Sequence, residues 1–282
     1  MKYLINDQIV DYDAASVHVR DLSLLRGYGI FDFFRLVGLQ PLFMKDHLER
    51  FFGSADQLRL KCPVGRKALR KFIYEIINLN GIQNSGIRLL LTGGESDSGY
   101  SIGEPTLVVM NEPINPLPET QFTDGIKLIT HEYLRDLPEI KTTQYLMGIY
   151  KQPVLKKAGA ADLLYHWNGS VSELTRSNFF IITDQNTIVT PDKDVLPGVN
   201  RKHVLNMARD HYNIEERHLQ LDEVFAAKEA FITGTTKKVM PVVQVDDQLI
   251  GQGMPGPVTK DLQVRYESYM SDYLKSESGD TN

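Results

Sequence analysis

A proline-rich segment from Asn111 to Thr120, NEPINPLPET, is the feature of this 282-residue sequence that most constrains its fold. Proline fixes the backbone and removes an N–H donor, so three prolines in a short segment interrupt sheets and helices. The segment leaves two parts that are each long enough to build a hydrophobic core. We therefore predict two domains, residues 1–112 and residues 122–282, joined by a linker over residues 113–121.

The first part alternates short strands with amphipathic helices. Turn residues at Asn6-Asp7 and Gly38-Leu39 predict two β-hairpins. Apolar spacing predicts one helix from Lys45 and a second that ends at Asn80-Gly81. Strand-like runs over 87–92 and 106–110 follow, so the first part predicts a mixed sheet and helix domain.

The second part contains more hairpins than helices. Turns at Asn168-Gly169, Asp184–Asn186 and Asp246-Asp247 separate apolar runs. Helices are expected over 200–210 and 257–274, and the last eight residues, KSESGDTN, have the composition of a solvated tail. The predicted class is α+β, or α/β with many antiparallel strands, rather than a doubly wound parallel sheet.

Composition excludes several classes of protein. The single cysteine, Cys62, allows no internal disulfide, so the fold depends on packed apolar side chains. The net charge of −5 argues against nucleic acid as the main partner, and the seven histidines show no metal-binding spacing. No apolar run reaches the ~20 residues of a membrane span and the start lacks a signal peptide, so we expect no membrane partner and a cytoplasmic location.

Lys141 and a polar run around Glu173 are the first candidate site residues. A lysine becomes a nucleophile for carbonyl compounds when burial or a neighbouring cation lowers its pKa. The alternative for Lys141 is a solvated lysine at a strand end. Polar residues crowd between Ser172 and Asn178, just before the apolar run FFII. This polar run predicts a pocket wall, and an ordinary loop remains its alternative.

Two further segments are typical of phosphate binding. LPGVNR, residues 196–201, begins a helix after Gly198, and the N–H groups at a helix start attract anions. ITGTTKKVMPV, residues 232–242, places Thr235 and Thr236 after a strand, where hydroxyls and exposed amides form a cradle. No dinucleotide-binding glycine motif or nucleotide-binding P-loop is present.

Six segments in order resemble the class IV aminotransferases, the fold-type IV enzymes that use pyridoxal 5′-phosphate. The segments are RGYGIFDFFR with HLERFFGSADQLRL, EIKTTQYL, GSVSELTRSNFFII, VTPDKDVLPGVNRKHVL and FITGTTKKVMPVVQVDDQLIG, and the resemblance covers residues 1–275. It implies a small N-terminal α/β domain, a larger C-terminal pseudo-barrel domain, amino acid and 2-oxo acid substrates, and a homodimer.

The resemblance also assigns roles to individual residues. Lys141 matches the lysine that binds the cofactor covalently and moves the substrate proton. Glu173 matches the acid at the pyridine nitrogen, and Tyr145 matches a tyrosine at the phenolic oxygen. The residues that match phosphate ligands are Arg50, Val199, Asn200, Thr235 and Thr236.

Substrate choice rests on Arg26, Phe31 and Arg88, which fall in segments that border the substrate in relatives. The residues after the strand of Arg88 read TGGES, so the arginine and histidine usual in D-amino acid aminotransferases are missing, and Phe31 stands where those enzymes often carry tyrosine. The sequence also lacks the two glycines that branched-chain enzymes usually carry after the lysine. Two arginines predict a firmly held carboxylate. The alternatives are structural, with Arg26 paired to Asp21 or Asp32 and Arg88 in solvent.

We therefore expect a D-amino acid aminotransferase, acting on D-alanine or D-glutamate with pyruvate or 2-oxoglutarate, with an altered arginine clamp. The first alternative is an L-branched-chain aminotransferase. An aminodeoxychorismate lyase and an inactive binding module of the same fold are further alternatives.

Overall fold

The computed structural model describes residues 1–279, which form two compact units. Unit 1 comprises Met1–Asn115 and Ile140–Gln144, and unit 2 comprises Pro116–Glu139 and the chain from Tyr145 onward. The boundary between Asn115 and Pro116 lies within the expected linker at residues 113–121, although Pro113 still ends a strand. The return of Ile140–Gln144 to unit 1 was not expected. Across residues 1–279, the helices are all too short or too polar to cross a membrane.

Unit 1 consists of a six-stranded antiparallel sheet with helices packed against it. The elements of unit 1 are β1 (Lys2–Ile5), β2 (Gln8–Asp11), α1 (Leu22–Arg26), β3 (Gly29–Val37), β4 (Gln40–Pro41), α2 (Met44–Gln57), α3 (Arg66–Asn80), β5 (Ser85–Thr92) and β6 (Leu107–Pro113). The strands follow the order β2-β1-β6-β5-β3-β4 across the sheet.

The local predictions for unit 1 are confirmed. Asn6 has a φ of 56° between β1 and β2, which are joined through the pair Ile5 and Gln8, and Gly38 has a φ of 60° between β3 and β4. Helix α3 ends where Gly81 adopts the left-handed conformation, since glycine enters that region without a Cβ clash. The apolar faces of α2 and α3 pack with the sheet in one buried core.

Unit 2 contains a nine-stranded sheet within the described residues. The helices and strands of unit 2 are α4 (Thr120–Thr123), β7 (Ile126–Glu132), α5 (Leu146–Tyr150), α6 (Gln152–Ala158), β8 (Asp162–Trp167), β9 (Ser170–Leu174), β10 (Asn178–Ile182), β11 (Ile188–Thr190), α7 (Val199–Ala208), β12 (Ile214–Glu216), α8 (Leu221–Phe225), β13 (Glu229–Gly234), β14 (Lys238–Val245), β15 (Gln248–Leu249) and α9 (Pro257–Gly279).

Strand pairing in unit 2 closes on itself. The path β10-β13-β14-β7-β8-β9 returns to β10 through the pair Asn178 and Glu173, which matches the expected pseudo-barrel. The rings of Phe180 and Phe231, which are paired across β10 and β13, stack with their centroids 4.5 Å apart. The pair that closes the ring therefore places Glu173 beside the start of β10.

The three predicted hairpins of unit 2 are confirmed, and the predicted tail needs a correction. Strand pairs β8–β9, β10–β11 and β14–β15 flank the expected turns. Helix α9 continues through Lys275 to Gly279, so five of the eight residues expected in a tail are helical. Residues 275–277 are nevertheless exposed, and the last three residues lie outside the described range.

Candidate functional site

Lys141 lies on a segment that pairs with the start of β3. The Lys141 carbonyl accepts from the Phe31 N–H at 3.0 Å, and the Thr143 N–H donates to the Gly29 carbonyl at 3.0 Å. The Thr143 hydroxyl adds a bond to the Gly27 carbonyl at 3.1 Å. The lysine is therefore held by sheet-like hydrogen bonds rather than by a free loop.

Two basic side chains, Lys141 and Arg88, lie over the aromatic ring of Phe31. Nζ of Lys141 lies 4.5 Å from the ring centroid and Cζ of Arg88 lies 5.7 Å from it. The Arg88 guanidinium also donates to both carboxylate oxygens of Glu112, with Nη2 at 2.9 Å from Oε2. The structure therefore brings Lys141, Phe31 and Arg88 together, with Glu112 as a carboxylate that the sequence analysis did not single out.

Arg50 is held by a buried carboxylate of β3. Its Nε donates to Oδ2 of Asp32 and its Nη2 donates to Oδ1, both at 2.8 Å. Nδ1 of His47, one turn earlier on α2, lies 2.7 Å from the same Oδ1. Asp32 and His47 were not predicted as site residues, although a charged residue within the apolar run IFDFF is a signal for a buried partner.

Burial and charge act in opposite directions on Asp32. Burial raises the pKa of Asp32, but Arg50 and His47 together bring that pKa well below its usual range. Burial lowers the pKa of His47, the charges of Arg50 and Lys141 lower it further, and Asp32 opposes them. Asp32 is therefore a carboxylate and His47 a neutral imidazole at neutral pH.

Arg26 is exposed at the end of α1, and Nη1 donates to the carbonyl of Leu25 at 2.8 Å. Asp21 accepts instead from the Ser23 N–H and from the hydroxyl of Thr92, so it does not take up Arg26.

The carboxylate of Glu173 accepts a hydrogen bond at each of its oxygens. Nε of Arg135 donates to Oε1 at 2.7 Å, and the Leu196 N–H donates to Oε2 at 2.9 Å. Arg135 also donates to the carbonyl of Pro138. Glu173 is 4% exposed, so it is a buried carboxylate with charged and backbone donors. Arg135, like Glu112, Asp32 and His47, was not predicted as a site residue.

The start of α7 and the turn after β13 form a cradle of hydrogen-bond donors. Helix α7 begins at Val199 with no side-chain cap, and Nδ2 of Asn200 lies 3.4 Å from the hydroxyl of Thr235. The structure thus brings together Val199, Asn200, Thr235 and the neighbouring Thr236, which we call the donor cradle. Uncapped helix N–H groups next to two hydroxyls suit a phosphate.

Two observations fit a phosphate group at the donor cradle. The hydroxyls of Ser177 and Thr233 are buried and lack a hydrogen-bond partner within the described residues. A Cβ on Gly234 would lie 3.4 Å from the Ser177 hydroxyl, so Ser177 borders the turn. A buried hydroxyl without a partner costs free energy, which an anionic ligand or water would offset.

Tyr145 is half-buried at the start of α5, four residues after Lys141. Its carbonyl accepts from the Ile149 N–H at 3.0 Å. The expected contact of its phenol with a cofactor stays a prediction. Among residues 1–279, no three His, Cys, Asp or Glu side chains form a group that could hold a metal ion.

Comparisons with known proteins place the chain in a family. Residues 29–245 match the family described as amino-transferase class IV. The D-alanine aminotransferase of Bacillus licheniformis is 28% identical over 98% of this chain and 100% of its own length. A candidate branched-chain-amino-acid aminotransferase of Methanocaldococcus jannaschii is 30% identical over 95% of this chain and 96% of its own length. The crystal structure of a T.th. branched-chain amino acid aminotransferase with pyridoxamine 5′-phosphate matches with a TM-score of 0.88 and 26% identity, over 96% of this chain and 94% of that one.

Proposed function

The chain belongs to the class IV aminotransferases, enzymes that use pyridoxal 5′-phosphate, and we propose that it transfers the amino group of a D-amino acid to a 2-oxo acid. The donors we propose are D-alanine and D-glutamate, and the acceptors are pyruvate and 2-oxoglutarate. The full-length similarity to D-alanine aminotransferase supports the D series.

The chain's own residues divide the work with the cofactor. Pyridoxal phosphate supplies an electron sink for the carbon that bears the amino group. Lys141 would hold the cofactor covalently, and its amine would be the base that moves the substrate proton. Glu173 would keep the ring nitrogen protonated, and the hydroxyl of Tyr145 would contact the phenolic oxygen.

Phosphate binding draws on fixed donors. The donor cradle supplies backbone N–H groups and hydroxyls, and Arg50 supplies a guanidinium cation. Because Asp32 holds one edge of the Arg50 guanidinium, the arginine needs little reorganisation to bind an anion.

The observation that carries the substrate proposal is the shared ring of Phe31. Arg88 and Lys141 both lie over this ring, so an arginine suited to a carboxylate is held near the reactive amine. Arg88 would bind the substrate carboxylate, and Phe31 would line the space for the side chain.

Arg26 fits a role at the neighbouring subunit of a homodimer. It is exposed, and fold-type IV relatives place small-domain residues near the partner's pocket. An exposed apolar surface on α5 and α6, formed by Leu146, Ile149, Tyr150 and Val154, supports a dimer. Sedimentation analysis checks this, and a monomer at working concentration would argue against both points.

The cytoplasmic location stays a prediction.

An L-branched-chain activity is the second candidate. Glu112 neutralises Arg88, and the ring of Phe31 is apolar, which favours an aliphatic substrate side chain. The half-reactions decide between the two, since the purified enzyme can be mixed with D-alanine, D-glutamate, L-leucine or L-glutamate and followed by its absorption spectrum. Reaction with the L series alone would reject the D proposal. Pyruvate release from aminodeoxychorismate without an amino acceptor would indicate the lyase.

Lys141 has a matched control in Lys151, whose amine also lies over an aromatic ring, that of Tyr150. Borohydride reduction followed by peptide mapping should label Lys141 and leave Lys151 unlabelled. We expect Lys141→Ala to lose turnover by about 10³-fold or more, and Lys151→Ala to retain it. A label on another lysine would overturn the assignment.

Arg88 is tested against Arg70, whose guanidinium lies over Tyr74 on α3. We expect Arg88→Gln to raise KM for every amino acid by about tenfold or more, as for a lost charged hydrogen bond, while Arg70→Gln leaves KM unchanged. An unchanged KM in Arg88→Gln would remove the arginine from the substrate site.

A further inference from the structure

Tyr266 of helix α9 contacts Asn200, a residue of the donor cradle. We propose that the hydroxyl of Tyr266 is a positioning group that fixes the side-chain amide of Asn200, so that the amide presents its nitrogen to the phosphate of the cofactor. The inference rests on the proposed function, because the phosphate is that of pyridoxal phosphate. Tyr266 would contact no part of the cofactor and would act through Asn200.

The contact that carries this role is buried. The Tyr266 hydroxyl donates to Oδ1 of Asn200 at 2.5 Å, inside the range for O–H···O bonds. Tyr266 is 1% exposed and Asn200 is also buried. On the other side of the amide, Nδ2 points to the hydroxyl of Thr235 at 3.4 Å. The amide oxygen therefore faces α9 and the amide nitrogen faces the cradle.

The orientation matters because the two ends of an amide have opposite polarity. The nitrogen carries two N–H donors, whereas the oxygen only accepts. A phosphate oxygen is attracted to the first and repelled by the second. Because the Tyr266 hydroxyl donates to Oδ1, it favours the orientation in which the Asn200 nitrogen faces the cradle, so the amide is preorganised for an anion before the cofactor binds.

Helix α9 is itself held in place, which makes Tyr266 a fixed reference. One turn further along both helices, Nδ1 of His203 lies 2.9 Å from the Tyr269 hydroxyl. At the start of α9, the carboxylate of Glu229 accepts from the N–H groups of Val258 and Thr259 at 3.1 and 2.8 Å. Tyr269 therefore contacts α7 in the same manner as Tyr266, but its hydroxyl meets a histidine instead of the cradle amide.

This pair of tyrosines supplies the test. Tyr266→Phe and Tyr269→Phe each remove one hydroxyl from α9, and the cofactor-free forms are titrated with pyridoxal phosphate and with pyridoxal, which lacks the phosphate. We expect Tyr266→Phe to weaken pyridoxal phosphate about tenfold and to leave pyridoxal unchanged, since only the phosphate meets the amide. Tyr269→Phe should change neither affinity.

A second variant keeps the inference testable if Tyr266→Phe folds poorly. Asn200→Asp keeps an acceptor for the Tyr266 hydroxyl and turns a carboxylate oxygen toward the cradle. It should weaken pyridoxal phosphate more than Tyr266→Phe does, again without an effect on pyridoxal. In an Asn200→Ala background, the further change Tyr266→Phe should have no effect, because the amide that it orients is gone.

The outcomes separate the two proposals. If the wild-type protein binds pyridoxal phosphate no better than pyridoxal and borohydride labels no lysine, the proposed function fails. The positioning role of Tyr266 is overturned if the wild type prefers pyridoxal phosphate and Tyr266→Phe binds it with the same affinity. It is also overturned if Tyr266→Phe loses affinity for both ligands equally, or if Tyr269→Phe weakens pyridoxal phosphate to the same extent. Melting temperatures of the variants without ligand report the structural part of each change.

Discussion

Asp32 in unit 1 and Glu173 in unit 2 are both buried carboxylates held by an arginine, and their other partners differ. Asp32 contacts Arg50 and His47, two side chains of one helix. Glu173 contacts Arg135 and a backbone N–H of the segment that leads to α7. The first carboxylate is enclosed by side chains from α2, and the second connects two segments that the family resemblance assigns to the site.

The difference shows that burial of a carboxylate does not by itself indicate catalysis. The Arg50 cation and the hydrogen bond with His47 account for the ionisation of Asp32, and its inferred task is to hold Arg50. Glu173 accepts from Arg135 and from the backbone N–H of Leu196 in the segment that leads to α7, and its proposed task is to stabilise a protonated pyridine nitrogen. Variants of the two carboxylates should therefore separate stability from turnover.

The largest effect should come from Glu173→Gln. A neutral amide cannot stabilise a protonated pyridine, so we expect turnover to fall by about 10³-fold, with the kcat of the overall reaction as the measurement. The double variant Glu173→Gln with Arg135→Gln should recover stability, because no buried charge is left unpaired, but should not recover turnover. Recovery of both would make Glu173 a structural residue like Asp32.

Asp32→Asn should mainly reduce stability. Removing one partner of a buried ion pair costs about 3–5 kcal/mol, measured as the free energy of unfolding in denaturant. The pKa of Asp32 is lowered in the folded protein, so its contribution is present above the ordinary value of 3.8 and is lost as the pH falls below it. The difference in free energy of unfolding between the wild type and Asp32→Asn should therefore become smaller below about pH 4. A deficit that grows on acidification would contradict the pairing.

Arg135→Gln should give an intermediate effect in unit 2. Without the guanidinium, Glu173 keeps only the Leu196 N–H among these two partners, so its carboxylate is less firmly oriented. We expect kcat to fall about tenfold, the size of one lost charged hydrogen bond, with KM little changed. Arg135→Lys keeps the charge but not the planar pair of donors, so its kcat should lie between those of the wild type and Arg135→Gln. Equal activity in all three proteins would exclude Arg135 from positioning Glu173.

His47→Gln should give the smallest effect, visible only in the pH dependence. The pKa of His47 is lowered by burial and by Arg50 and Lys141, so the unfolded chain binds a proton more readily than the folded one. The free energy of unfolding of the wild type should therefore decline as the pH falls below about 6.5, by at most about 1.4 kcal/mol per pH unit. His47→Gln should lack this part of the decline.

The exposed His211 supplies the control for that measurement. His211→Gln should follow the wild-type curve, since it changes a histidine outside the core. A His47→Gln curve parallel to the wild type across this range would show that the imidazole does not contribute to the pH dependence.

The sequence alone determined the local structure and the order of the motifs. Turn residues predicted the hairpins at Asn6, Gly38 and Asn168, and Gly81 predicted the end of α3, because these conformations depend on near neighbours in the chain. The sequence also singled out Lys141 and Glu173 as candidate site residues, because each stands in a short segment with a family resemblance.

Only the tertiary structure decided which side chains act on those residues. The return of Ile140–Gln144 to β3, the pairing of Arg135 with Glu173 and the contact of Tyr266 with Asn200 join residues that are far apart in sequence. Residue type gives the chemistry of a donor or an acceptor, but its partner depends on distance in space. That distance is fixed by how strands and helices pack, and local sequence does not specify it.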